Sequence, residues 1–186
     1  MNADGYADFL VSATSGVDEA RSGVVHLYYG RPRDQWIASV RPNATVTAAS
    51  TYEYLGSTVA AADVNRDGRV DILAGAPGRE SSAPTYQGSA VVWLANTSGG
   101  YLAPAARLPS NTLGGLHGQV VTAPGDVNGD GFCDVLVTAP MYPDRMFSLG
   151  QAHLWANQSS MFDRSVPTLT IQGTVTGGWL GRGATR

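Results

Sequence analysis

NRDGRVDILAGAP, residues 65–77, recurs as NGDGFCDVLVTAP at 128–140 and is preceded by NADGYADFLVSAT at 2–14. Asp4, Asp67 and Asp130 stand 63 residues apart, so the 186-residue chain holds almost three units. A repeat of this period marks an array in which each unit buries its apolar surface against its neighbours.

Within each unit the acidic turn is followed by a short apolar run, FLVSA, ILAGA or VLVTA, of strand length and with no helical period. After a long loop a second strand begins at Gly23, Gly88 or Gly150 (VVHLYY, SAVVWLA, QAHLWA), and Tyr28, Trp93 and Trp155 occupy equivalent places. A third stretch follows: WIASVRP, YLAPAARLP or RSVPTLTIQ. Pro104 and Pro167 fall inside two of these, and proline donates nothing to a ladder, so the third stretch is expected at the outer edge. A fourth strand, GSTVAAADV from Gly56 or GQVVTAPGDV from Gly118, leads into the next acidic turn. Four-stranded antiparallel units of about 60 residues, with no amphipathic helix to cover them, pack radially. The expected class is therefore all-β, a β-propeller segment of three blades. Residues 1–54 form a first blade lacking its innermost strand, 55–116 a second and 117–178 a third, and 179–186 form an innermost strand for a blade of another chain.

Composition limits the functions open to such a chain. It is 43% hydrophobic and 15% charged, without an apolar run of the roughly 18 residues a membrane helix needs. A net charge of -3 argues against a nucleic-acid partner. All 12 basic residues are Arg, and Cys133 is the single cysteine, so no intrachain disulfide framework is available. MNADGYADFL carries no signal-peptide pattern. No nucleophile elbow, HExxH helix or paired-cysteine zinc spacing is present, and the chain is expected not to be an enzyme. His26 and His153 occupy equivalent strand positions and are read as packing residues. Cys133, standing where the other units have Ala7 and Val70, is read as a small buried apolar residue. Asn43, Asn96 and Asn157 head glycosylation sequons that matter only in a eukaryotic secretory pathway.

The chemistry lies in the turns. DVNRDGRVD offers side-chain oxygens at Asp63, Asn65, Asp67 and Asp71, with the Arg69 carbonyl at the alternate place. DVNGDGFCD repeats the set with Asp126, Asn128, Asp130, the Phe132 carbonyl and Asp134. The first copy supplies Asn2, Asp4, the Tyr6 carbonyl and Asp8, without the opening aspartate. Oxygen ligands at every second residue of a tight turn suit Ca2+, which takes 6–8 oxygens. Two full sites and one incomplete site per chain are expected. Eight of the 15 acidic residues sit in these turns and repel one another without a cation. A single DxNxDG run is as often a solvated Asx turn; two full copies in register shift the balance. A helix-loop-helix calcium hand is excluded, because its twelfth-position carboxylate is replaced by Ala74 and Val137.

With these motifs in place, the chain resembles the FG-GAP repeats of integrin α-subunit propellers and their bacterial relatives. The GAP element stands as Gly75-Ala76-Pro77 and Thr138-Ala139-Pro140, with Ser12-Ala13-Thr14 departing from it. The FG element stands as Leu55-Gly56, His117-Gly118 and Leu180-Gly181, without Phe. The resemblance implies a calcium turn on the lower face of the disc and an extracellular or cell-surface setting. It also implies that a protein ligand would approach the upper loops, 12–22, 75–87 and 138–149. These hold Asp18, Glu19, Arg21, Arg79, Glu80, Tyr86, Asp144 and Arg145, with Tyr52, Tyr54, His117 and Trp179 nearby. The preferred reading of those residues is the plainer one, solvated loops and aromatics packed at blade junctions. Function is expected to be protein binding, adhesion or scaffolding, with an accessory propeller of a larger secreted enzyme as the alternative. Since known propellers carry 4–8 blades, a closed ring is expected from a homodimer of six blades, each C-terminal strand completing the partner's first blade. The competing reading is a piece, natural or engineered, of a longer propeller.

Overall fold

The computed structural model describes residues 2, 4–15, 22–35, 40–78, 87–96, 100–101, 104–110, 114–143, 148–157 and 166–183. Among them are eleven strands, one 3-10 turn at Arg33–Gln35 and no α-helix. The first sheet has the order β1 (Phe9–Ala13), β2 (Val24–Tyr28), β3 (Ala44–Thr47). The second runs β4 (Val59–Ala62), β5 (Asp71–Ala76), β6 (Ser89–Trp93), β7 (Ala106–Pro109). The third runs β8 (Val121–Gly125), β9 (Asp134–Ala139), β10 (Gln151–Trp155), β11 (Leu169–Gln172), with a register shift in β8 between Thr122 and Gly125. Every pairing is antiparallel between chain neighbours. These are three blades of a β-propeller, the first with three strands.

Why the apolar runs are continuous rather than alternating follows from the stacking. All residues of β5 and β6 are buried, because the second blade is covered on both faces. On one side Ile72, Ala74, Ala76, Val91 and Trp93 pack against Val25 and Val46 of the first blade. On the other, Leu73, Ala90, Val92, Ala106 and Leu108 pack against Val121, Val135, Val137 and Trp155 of the third. At roughly 25 cal/mol per Å² of apolar surface, these two interfaces supply most of the driving force available to sheets that cannot stand alone.

The outer-edge position of the third strand is borne out by β3, β7 and β11, although Pro104 and Pro167 precede β7 and β11 rather than lying within them. One expectation needs correcting: WIASVRP at 36–42 is not the third strand of the first blade. That strand is β3, paired through Val25↔Val46 and His26↔Thr45, which buries Val46 against the second blade. The register that buries Val46 wins, and the Asn43 carbonyl oxygen of the side chain accepts the Tyr29 N–H at 2.9 Å just ahead of it. Residues 36–39 lie outside the described residues, as do 184–186 of the expected C-terminal strand.

Between blades, Gly23, Gly88 and Gly150 form parallel bridges to Leu55, His117 and Leu180, the residues just before the glycines of the FG elements. Ser12 Oγ donates to the Gly56 carbonyl at 2.7 Å, Ser57 Oγ to Gly118 at 2.8 Å, and Thr138 Oγ1 to Gly181 at 2.6 Å. Glu53, almost wholly buried, is held by Arg107 at 3.1 Å, and Arg107 also donates to Ser89 at 2.7 Å.

His117 is not a surface residue: it is fully buried between the second and third blades, 4.9 Å from the His153 ring and 5.3 Å from Trp155. Burial, then the neighbouring His153, pushes His117 down to about 3, with the Leu108 backbone pulling the other way, and burial likewise lowers His153. A base held below its ordinary value stays neutral in the folded state while the unfolded chain takes up a proton. Stability is therefore complete above about pH 6.5 and falls as the pH drops from there toward the folded value. At pH 5 the expected loss through His117 is about 2 kcal/mol. Urea melts at pH 7 and pH 5 should show it, and His117→Gln should flatten the dependence. An unchanged slope in that variant would locate the acid sensitivity elsewhere.

Candidate metal centre

The three acidic turns lie at equivalent places in the blades: one runs into β1, one joins β4 to β5 and one joins β8 to β9. Three internal hydrogen bonds recur in all three turns, and the bonds to the opening aspartate recur in the two full copies. The Asp67 N–H donates to Asp63 (3.1 Å) and to the Asn65 side-chain carbonyl (3.2 Å), Gly68 N–H to Asp63 (2.8 Å), and Arg69 N–H to Asp67 (2.9 Å). In the next turn Asp130 N–H donates to Asp126 (3.1 Å) and Asn128 (3.0 Å), Gly131 N–H to Asp126 (2.7 Å), and Phe132 N–H to Asp130 (2.9 Å). In the first, Asp4 N–H reaches Asn2 at 3.4 Å and Tyr6 N–H reaches Asp4 at 2.9 Å. Positive φ at Gly68 and Gly131 permits the tight winding.

The structure thus brings each turn's opening residues together through the backbone, at the exposed end of the sheet. The Asn2, Asn65 and Asn128 amides donate to Asp4, Asp67 and Asp130 at 2.8, 2.9 and 2.8 Å. Arg69 pairs with Asp67 at 2.8 Å. A methyl on Gly131 would meet the Arg66 guanidinium, so a cationic side chain from the second blade lies against the turn of the third. Desolvation pushes Asp67 up, but the Asn65 amide, the Arg69 N–H and the Arg69 charge outweigh it and leave it below the usual carboxylate range. The Gly131 N–H is foremost in lowering Asp126.

The last aspartate of each turn is set apart. Asp71 and Asp134 are wholly buried and point back into the blade. Asp71 accepts the N–H groups of Val64 and Ala95, each at 2.9 Å, and Asp134 those of Val127 at 2.8 Å and Asn157 at 2.9 Å. Asp8 accepts from Asn2 at 3.2 Å and Gly30 at 2.9 Å. Each therefore ties the turn to the residues that follow the second strand. Burial pushes Asp71 up to about 6 against these two N–H groups, and the Asp67 and Asp63 charges add to it. The Tyr101 hydroxyl donates to the Val70 carbonyl at 2.6 Å beside it.

Sequence spacing found these aspartates but not their pinning role. The signal was the 22–24-residue interval to Gly30, Ala95 and Asn157, repeated in all three units. Asn157, read from the sequence only as the head of a sequon, is 1% exposed, and its amide donates to the Val64 carbonyl, joining the third blade to the turn of the second. An asparagine so placed is not a glycan acceptor in the folded chain, whereas Asn43 is exposed. Cys133 is half-buried against the cluster between the second and third blades. Among the upper-face residues, Asp18, Glu19, Arg21, Arg79, Glu80, Tyr86, Asp144 and Arg145 lie outside the described residues.

Chemically, each turn presents only oxygen donors, each carboxylate oxygen with a lone pair beyond the N–H it already accepts, and this donor set fits a hard divalent cation. Among the described residues no three His, Cys, Asp or Glu side chains converge on one point at coordinating distance. In this form the turns are closed by hydrogen bonds, with amides and a guanidinium on their carboxylates. The FG-GAP repeat family profile matches residues 55–93 and 120–155, the three inner strands of the second and third blades with their turns. The chain carries FG-GAP repeats. The chain is similar to Integrin alpha pat-2 of Caenorhabditis elegans, 34% identical over 99 residues, covering 47% of this chain and 8% of that protein. Integrin alpha-V of Gallus gallus is 30% identical over 146 residues, covering 75% of this chain and 13% of that protein. Phosphatidylinositol-glycan-specific phospholipase D of Bos taurus is 30% identical over 152 residues, 77% of this chain and 18% of that protein. This FG-GAP chain therefore spans less than a fifth of the length of these relatives. Among its described residues no helix is long and apolar enough to cross a membrane.

Proposed function

We propose that this chain is a calcium-stabilised, non-enzymatic FG-GAP module that works by protein binding, in adhesion or scaffolding, in an extracellular or cell-surface setting. The observation that carries this reading is the recurrence, in three blades at a 63-residue spacing, of one oxygen-lined turn with one hydrogen-bond pattern. The integrin α relatives support the binding role and the setting. Asp63, Asn65, Asp67, the Arg69 carbonyl and Asp71 would hold one Ca2+. Asp126, Asn128, Asp130, the Phe132 carbonyl and Asp134 would hold a second, and Asn2, Asp4, the Tyr6 carbonyl and Asp8 a weaker third. The bound ion supplies charge neutralisation and a cross-link within the turn. The residues themselves set the turn's shape and fasten it to the blade.

A ligand that binds the folded turn and not the unfolded chain adds about 2.7 kcal/mol at a hundredfold excess over its dissociation constant. For a chain of this size that corresponds to a rise in melting temperature of about 5–10 °C. Calorimetric titration of metal-free protein with Ca2+ should show two stronger sites and one weaker. Asp67→Ala and Asp130→Ala should each remove one site. A melting curve that chelator leaves unchanged, with no calcium in bound-metal analysis, would reduce the turns to turns. A second reading, an accessory propeller of a larger enzyme, is favoured by the phospholipase D relative, which matches 77% of this chain. A catalytic domain in the same open reading frame would decide for it.

A further inference from the structure

Asn157 stands just beyond β10, at the place that Ala95 holds after β6 and Gly30 after β2, and each donates its backbone N–H to Oδ1 of the last aspartate of its own turn. Of the three, Asn157 alone carries a side chain that reaches further. Its amide donates to the carbonyl of Val64, which stands between Asp63 and Asn65 in the turn of the second blade. The Val64 N–H in turn donates to Asp71 Oδ2 at 2.9 Å. A continuous run of hydrogen bonds therefore leads from Asp71 through Val64 and Asn157 to Asp134, joining the last aspartate of the second turn to that of the third.

This run is shielded from water. Val64 and Asn157 are 1% exposed, and Asp71 and Asp134 have no exposed surface. The Asn157 Oδ1 has no hydrogen-bond partner among the described residues. An amide kept in so dry a place with its oxygen unpaired is held there by the bond its nitrogen makes. At the junction of the first and second blades the equivalent residue is Ala95, whose methyl offers no such bond, so the link belongs to the second and third turns alone.

We propose that Asn157 is a positioning residue that couples the cation sites of the second and third blades, so that filling either one tightens the other while the first turn binds independently. This deepens the calcium reading above and rests on it. Asp71 and Asp134 retain lone pairs beyond the N–H groups they accept. A cation on Asp134 fixes that carboxylate, the Asn157 backbone that donates to it and, through the Asn157 amide, the peptide that leads from Val64 to Asn65. The second turn then surrenders less conformational freedom when its own ion arrives, and linkage makes the gain reciprocal. Repulsion between the two cations opposes this. It acts between exposed turns and is screened beyond about 8 Å at physiological salt, whereas the hydrogen-bonded run is buried and keeps its strength.

Calcium titration of the metal-free full chain at physiological salt, followed by amide NMR, reads the sites separately. The reporters are Tyr6 N–H in the first turn, Gly68 N–H in the second and Gly131 N–H in the third. Asp130→Ala removes the third site at an exposed position outside the hydrogen-bonded run, and it should raise the calcium midpoint at Gly68 by about fivefold or more. Asp67→Ala should do the same at Gly131. In an Asn157→Ala background, which gives the third blade the residue the second already carries, both shifts should disappear, and the Tyr6 midpoint should stay constant throughout. A purely structural Asn157 would change stability or overall affinity and leave the shifts in place.

Midpoints at Gly68 and Gly131 that ignore the opposite substitution would overturn the coupling and leave the calcium reading standing. A tighter second site after loss of the third would mean that repulsion wins, and overturns it equally. Shifts that survive Asn157→Ala would overturn the assignment to that residue. Amides that calcium never moves would overturn both readings together. Since Asp67 and Asp130 are exposed, the coupling itself is decided by those two variants even where Asn157→Ala weakens the third blade.

Discussion

Asp134→Ala is expected to destabilise the chain by about 2–4 kcal/mol in metal-free buffer, where no cation can be lost, because it leaves two backbone donors without an acceptor. Asp134 has no exposed surface, and its two oxygens take the N–H groups of Val127 and Asn157. The Asn157 N–H is buried, so water does not replace the carboxylate, and each such orphan costs about 1–3 kcal/mol. The damage spreads, because Asn157 also donates to Val64 in the turn of the second blade. For a chain of this length the melting temperature should fall by about 5–15 °C. Asp126→Ala is the informative contrast. Its oxygens accept from Gly129, Asp130 and Gly131, but at an exposed position where water substitutes, so its effect in chelator should be small. In calcium both variants should lose a site. Equal melting of the two in chelator would mean that Asp134 is no more of a pin than Asp126.

How much of this was legible beforehand depends on whether the information was local. The strands β5, β6, β9 and β10 were plain, because apolar runs bounded by glycine and by an acidic turn leave a buried strand as the one economical reading. The third strand of the first blade was placed early, at 36–42. Its position is fixed by which residue meets the second blade, and that residue is Val46, in a stretch less apolar than the one the sequence pointed to. The turn residues were found by spacing alone. Their division of labour was not, because the burial of Asp71 and Asp134 depends on where β6 and β10 end, 23–24 residues further on. The plainer reading of the residues near the upper loops, packing at blade junctions, holds for His117, which the bridge to Gly88 draws against the Trp155 indole.

That bridge is also where a single added methyl should do most harm. Gly88 has φ +75, and a Cβ there would stand 2.0 Å from the His117 carbonyl oxygen and 2.9 Å from its nitrogen. Gly23 and Gly150 stand in the same relation to Leu55 and Leu180, with 2.2 Å to the carbonyl oxygen in each case, so the demand belongs to the repeat and not to one local turn. The obstacle is backbone, which has no rotamer to escape into, and the backbone belongs to the segment that starts the next blade. Gly88→Ala is therefore expected to combine a left-handed alanine, about 1–2 kcal/mol, with an overlap that must separate two blades, about 1–3 kcal/mol or more. The predicted sum of about 2–5 kcal/mol should appear in chemical denaturation as a large fall in midpoint. Gly68→Ala isolates the two contributions: Gly68 has φ +81 but nothing within 4 Å of the added carbon, so only the backbone penalty applies there. If the two variants lose the same stability, the blade contact yields at Gly88 and the close approach is not what holds the second and third blades in register. If Gly88→Ala loses clearly more, the excess measures how rigidly the glycine bridge fixes the spacing on which the His117 and Trp155 packing depends.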